Sequence, residues 1–148
     1  MLSVVSTNGQ ESDLTQWIIL WIAAAVLFLV IDMVWLLWLG RSFYVTEIGE
    51  LLRQPPNFAA AGAFYILYVT GLMVMVVWPA VQGGSVSQAV LYGAILGLVA
   101  YGTYDLTNLA VMKGFTTKIA VIDMIWGTVL TGAVSGLTAA IGVRLLGR

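Results

Sequence analysis

Apolar residues gather in four long runs, 17–40, 58–80, 89–111 and 119–143, separated by three short polar breaks. Each run exceeds about 20 residues, enough at ~1.5 Å per residue to cross the ~30 Å hydrocarbon core of a bilayer. Inside lipid the backbone must satisfy its own polar groups, and a helix does so locally. The pattern predicts an all-α polytopic membrane protein, with a four-transmembrane-helix bundle filling 17–148 as one domain. Residues 1–16 (MLSVVSTNGQESDLTQ) read as a polar, disordered N-terminal tail. They lack the basic start and compact apolar core of a signal peptide. The break at 41–57 (RSFYVTEIGELLRQPPN) is longer than the others and patterned. Tyr44, Ile48 and Leu51 recur at helical spacing against Arg41, Glu47, Glu50 and Arg53. That predicts a short amphipathic helix lying in the interface, stopped by Pro55-Pro56. The break at 112–118 is a tight turn, so spans three and four should be antiparallel neighbours.

Composition narrows the chemistry. Charged residues are 9% of the chain against about 25% in soluble domains, and a net charge of −1 offers no basic surface for nucleic acid. Cysteine and histidine are both absent. Disulfides, iron–sulfur clusters, histidine-ligated haem and the usual zinc sites are excluded, as is the commonest general base. No lysine falls within a spanning run, which argues against a retinal Schiff base. No cofactor or metal is expected, and any chemistry must come from Asp, Tyr, Thr, Asn, Trp and backbone groups.

The polar residues inside the spans are few. The densest cluster is Tyr101-Gly-Thr-Tyr-Asp-Leu-Thr-Asn108, where Tyr101, Tyr104, Asp105 and Asn108 share one helical face. The same stripe runs back through Ala100, Gly97 and Gly93, small residues that allow close helix approach. Threading the spans up and down puts three carboxylates in one leaflet, on the side of the 41–57 loop. Counted at 1.5 Å per residue, Asp32 lies ~12 Å inside that face, Asp105 ~10 Å and Asp123 ~6 Å, with Tyr65 at ~10 Å. Each costs ~2.5–3.5 kcal/mol at the centre of a spanning helix, so all three should turn inward. A shared proton, a bound cation, or Arg41 or Lys118 reaching in would balance their charge. The candidate ligand- or ion-binding set is Asp32, Asp105, Asp123, Tyr65, Tyr68, Tyr101, Tyr104, Asn108, Trp35 and Trp126. The indoles among these offer walls able to hold an organic cation.

Two hexapeptides echo each other, Val30-Ile-Asp-Met-Val-Trp35 and Val121-Ile-Asp-Met-Ile-Trp126. Nothing around them aligns, so the echo points to shared local function more than to duplication. Each places an indole beside a carboxylate on one helix face. Basic residues set the orientation: Arg41, Arg53, Lys113 and Lys118 flank one face, Arg144 and Arg148 the other. The positive-inside rule puts loops 41–57 and 112–118 in the cytoplasm.

At these positions the chain resembles a family of small bacterial membrane proteins catalogued as domain of unknown function twenty-one seventy-seven. The resemblance rests on Asp32-xx-Trp35, Gly40-Arg41-Ser-Phe-Tyr44, Phe64-Tyr65-xx-Tyr68-xx-Gly71, Tyr101-Gly-Thr-Tyr-Asp-Leu-Thr-Asn108 and Asp123-xx-Trp126-Gly127, across residues 25–140. It implies a four-helix protein of a bacterial cytoplasmic membrane and carries no assigned activity. The leading functional expectation is binding or translocation of a small cation, proton or polar ligand at the acid–aromatic cluster. One alternative is a non-catalytic accessory subunit or assembly factor, the acids serving as glue between helices. Another is an intramembrane enzyme acting on a lipid or isoprenoid, against which the absence of His, Cys and a nucleophile motif weighs. Besides the lipid bilayer, the expected partner is a second copy, packed through Gly93/Gly97 or Gly127/Thr131, or a larger membrane complex.

Overall fold

A computed structural model describes residues 7–147, with side chains from Glu11 onward. Every regular element in it is helical. The first span is α1 (Thr7–Val34), which continues through a π turn, Trp35–Leu39. A short helix follows, α2 (Arg41–Ile48), with a 3₁₀ turn at Gly49–Leu51. The second span is α3 (Phe58–Leu72), a second π turn at Met73–Val77, and α4 (Trp78–Gln82). The third and fourth spans are α5 (Val86–Val111) and α6 (Thr117–Leu145). Four helices are thus long and apolar enough to cross a membrane, with a short helix between the first two.

Helix starts follow local chemistry. Asn57, Ser85 and Thr116 sit in extended backbone just before α3, α5 and α6, and each side chain accepts an N–H of the first turn. Such caps satisfy donors that have no partner within the helix. The turns at either end of α5 use Gly84 and Gly114, at φ 67° and 86°, backbone that residues with a side chain adopt at a cost.

Two expectations need adjustment. Residues 7–16, read as part of a disordered tail, extend α1 outward by more than two turns. No proline interrupts that segment, and the Thr15 hydroxyl donates back to the Glu11 carbonyl. Residues 1–6 lie outside the described ones. The short helix between spans one and two exists, but it ends at Ile48, well before Pro55-Pro56. Gly49 follows there, and by Leu52 the chain is extended.

Packing divides the bundle into halves. Away from the 41–57 loop, Leu20, Ala24 and Phe28 of α1 meet Val69, Leu72, Met73 and Val77, with Leu130 and Val134 of α6. α5 and α6 form the most extensive contact in the molecule, along a seam of small residues. A Cβ placed on Gly97 would run into the Gly127 carbonyl and the Thr131 side chain, and one on Gly93 into Ser135. The backbones all but touch, the close approach that small residues permit in lipid. The faces expected to receive a second copy, Gly93/Gly97 and Gly127/Thr131, are therefore buried within the chain.

Candidate functional site

The two hexapeptide echoes meet. α1 and α6 pack against each other, and Asp-xx-Trp runs in opposite directions on the two. The indoles of Trp35 and Trp126 stack, with centroids 4.4 Å apart and planes 11° from parallel. Each carboxylate is then opposite the other helix's indole. Trp126 Nε1 donates to Asp32 Oδ1 at 3.0 Å. The reciprocal crossing takes one extra step: Trp35 Nε1 donates to the Tyr44 hydroxyl at 3.0 Å, and that hydroxyl donates to Asp123 Oδ1.

Tyr44 comes from α2, and Gly40 makes its position possible. A Cβ there would lie 2.8 Å from the Tyr44 ring and 3.1 Å from Trp35 Nε1. With only hydrogen in that place, α2 folds back close enough for the hydroxyl to reach both partners. Outside the spans, burial raises the Tyr44 phenol above its usual pKa, and the hydrogen bond to Asp123 adds to the effect. It stays protonated, as a donor to a carboxylate must. The far end of α2 is tied to the start of α6. Glu47 accepts from Lys118 Nζ at 2.9 Å and from the Thr116 hydroxyl at 3.0 Å. Those two bonds, Lys118 first, hold the Glu47 carboxyl below its usual pKa.

From α3, the Tyr65 hydroxyl donates to Asp32 Oδ2 at 2.6 Å. Both oxygens of the buried Asp32 are thus engaged, and hydrogen bonds to a carboxylate are among the stronger kind. One turn on, the Tyr68 hydroxyl pairs with Thr131 Oγ1 at 2.9 Å, and its ring meets the Tyr101 ring edge-on at 6.4 Å. Together these groups line a partly open cavity of about 550 Å³, its walls including Asp32, Asp123, Tyr44, Tyr65, Tyr68, Tyr101 and Trp126. Among the described residues no lysine or arginine lines it. Lys118, expected to balance the acids, is engaged with Glu47, and Arg41 is exposed.

The remaining candidates divide. Tyr104 stands at the cavity's edge, largely exposed. Trp35 lies behind Trp126 and acts through its stack and Tyr44. Asn108 is half-buried and is not a wall of the cavity. Asp105 is set apart. It is fully buried on the stripe that α5 turns inward, beyond Gly97 and Gly102. Neither of its oxygens has a hydrogen-bond partner among the described residues. The three carboxylates expected in one site are therefore two in a cavity and one on its own. Among the described residues no three acids gather as a metal-ion set.

Sequence reasoning missed Tyr44 as a site residue. Its one signal was its place on the apolar side of the amphipathic segment, within the Gly40-Arg41-Ser-Phe-Tyr44 stretch.

No curated protein and no solved structure matches the chain. A family model described as Predicted membrane protein (DUF2177) matches residues 17–140, which takes in the second and third spans, most of the first and fourth, and both Asp-xx-Trp motifs. On that match the chain belongs to this family of predicted membrane proteins.

Proposed function

We propose that the protein binds a small cation, a proton included, at Asp32 and Asp123, and that binding there serves translocation. One observation carries the reading: two carboxylates share a roomy aromatic cavity to which the described residues supply no positive charge. Buried charges in proteins are paired, so the missing partner is sought outside the chain. Tyrosine and tryptophan rings around the acids add cation–π attraction for an organic cation. The accessory-subunit reading draws its support from the donors that Asp32 and Asp123 find on neighbouring helices, and the unpartnered Asp105 counts against it. As glue the acids would be expected to find donors.

Thermal unfolding of the detergent-purified protein tests the proposal. Tetramethylammonium, sodium and potassium are titrated at several pH values against the parent and Asp123→Asn. A ligand that binds only the folded state raises the midpoint by mass action. A rise with one cation, or with protons, that disappears in Asp123→Asn supports the reading. A parent indifferent to all of them defeats it.

The membrane is proposed to be a bacterial cytoplasmic membrane, with the 41–57 and 112–118 loops inside, on the four-to-two excess of basic residues. Reporter fusions within 41–57 and at residue 148 should report opposite sides. A second copy or partner subunit would use a lipid-facing surface other than the α5–α6 seam.

A further inference from the structure

The cavity has a side door. α3 packs along α1 and meets α5 at the Tyr68–Tyr101 ring edge. Among the described residues, this span meets α6 from Tyr68 onward, and extended packing against α5 begins only at the π turn Met73–Val77. Between Phe58 and Tyr68 the second span therefore stands away from the third. The gap is edged by Leu36, Ala61, Phe64 and Tyr104, all partly or largely exposed. Its inner end is closed by Tyr68 against Tyr101. Toward the aqueous face the site is covered by α2, pinned through Glu47 to Lys118 and Thr116, with Tyr44 reaching inward to Asp123.

We infer that the ligand is a single-chain amphiphile with a cationic amine head, entering sideways from the bilayer between α3 and α5. The inference rests on the cation reading above and names its substrate class. The gradient along the opening is its ground: apolar and aromatic groups at the lipid edge, two carboxylates and hydroxyls at the inner end. A hydrated metal ion would cross the apolar edge at great cost, whereas an alkyl chain belongs there. A phosphate-bearing head finds no lysine or arginine among the described residues of these walls and would face two acids. An ammonium head meets carboxylates and aromatic faces, both of which attract it.

The test compares dodecylammonium, butylammonium and dodecanol as stabilisers of the protein in dodecyl maltoside, read as the shift in unfolding midpoint. Dodecylammonium should act at a concentration at least about tenfold below butylammonium, since each methylene held in the cleft adds apolar burial. Dodecanol should have little effect, and Asp32→Asn/Asp123→Asn should remove the response to both amines. Micellar enrichment alone would also favour the longer amine. Ala61→Trp decides this by filling the edge of the gap: the chain-length advantage should collapse, while enrichment would survive it. Leu36→Trp, on another wall, repeats the decision if Ala61→Trp fails to fold. Equal potency of the two amines overturns the amphiphile and leaves the cation site standing. A dodecanol effect matching dodecylammonium overturns recognition of the head. No response to either amine, with a response to an inorganic cation, overturns the inference alone; no response to any cation overturns the cation reading with it.

Discussion

Away from the 41–57 loop, α1, α3 and α6 meet through Phe28, Leu72 and Val134, all fully or almost fully buried. One to two turns nearer the loop, the first two spans and α6 meet through Asp32, Tyr65 and Trp126, around a cavity. The first half closes by shape, apolar side chains filling the space between helices. The second closes by hydrogen bonds that fix directions and leave room. In lipid the two devices are not equivalent. Apolar packing loses little drive when a helix moves, because lipid tails are as apolar as leucine. A carboxylate that loses its donors has no water to turn to. The polar half thus has its few side chains held firmly around a space, and the apolar half supplies the platform that lets α3 diverge from α5.

The harshest way to break this contrast is at the seam both halves share. Gly97→Leu forces a side chain into the Gly127 carbonyl and Thr131. It should cost about 3 kcal/mol or more, the upper end for overpacking, and leave little folded protein by gel filtration. Next comes Asp32→Ala, which leaves Tyr65 and Trp126 as donors without an acceptor. A loss of about 2–4 kcal/mol is expected, and Asp32→Asn, which keeps an acceptor, should recover part of it in the same melts.

Asp105→Leu sharpens the comparison from the other direction. This carboxyl is as buried as the apolar core and has no partner, so an apolar replacement should raise stability by about 1 kcal/mol. A loss of that size would show a role in holding α5 that no hydrogen bond accounts for. The smallest effect belongs to the tie outside the membrane. Glu47 has its pKa lowered in the folded protein by Lys118 and then Thr116. Its contribution is therefore present above the ordinary carboxylate value and is lost as pH falls through the lower folded one. Glu47→Gln should give a slightly lower midpoint than the parent at neutral pH, the difference fading in acid.

How much of this the sequence disclosed depends on the distance over which each feature is decided. The spans, their order and the antiparallel α5–α6 pair follow from runs of apolar residues and short turns, which are local. Antiparallel threading also brought Asp32, Asp123 and Tyr65 into one leaflet, and they share a cavity. The helical stripe through Tyr101, Tyr104, Asp105 and Asn108 was too coarse. Neighbouring residues point about 100° apart on a helix, so Tyr104 reaches the cavity's edge while Asp105 turns into the bundle. Against a seam as close as that of Gly93 and Gly97, so large an angle separates one environment from another. The role of Tyr44 was hidden for a different reason. Its carboxylate partner lies 79 residues along the chain, and no periodicity encodes that meeting.

The crossed pairing of α1 with α6 also sets a timetable. Tyr65 follows Asp32 by 33 residues and Trp126 follows it by 94. At synthesis rates of ~5–20 residues per second, the first donor arrives after ~2–7 s and the second after ~5–19 s. For that interval Asp32 enters the bilayer on a helix that must carry it unaided. The first span is the one equipped to do so, with a mean hydropathy of 2.6 against 1.4 and 1.5 for the third and fourth. Those weaker spans emerge last and next to each other, and their glycine seam packs them closely together. The site is completed only when the final span arrives, so a ribosome stalled after α5 leaves behind a chain that crosses the membrane but has no cavity.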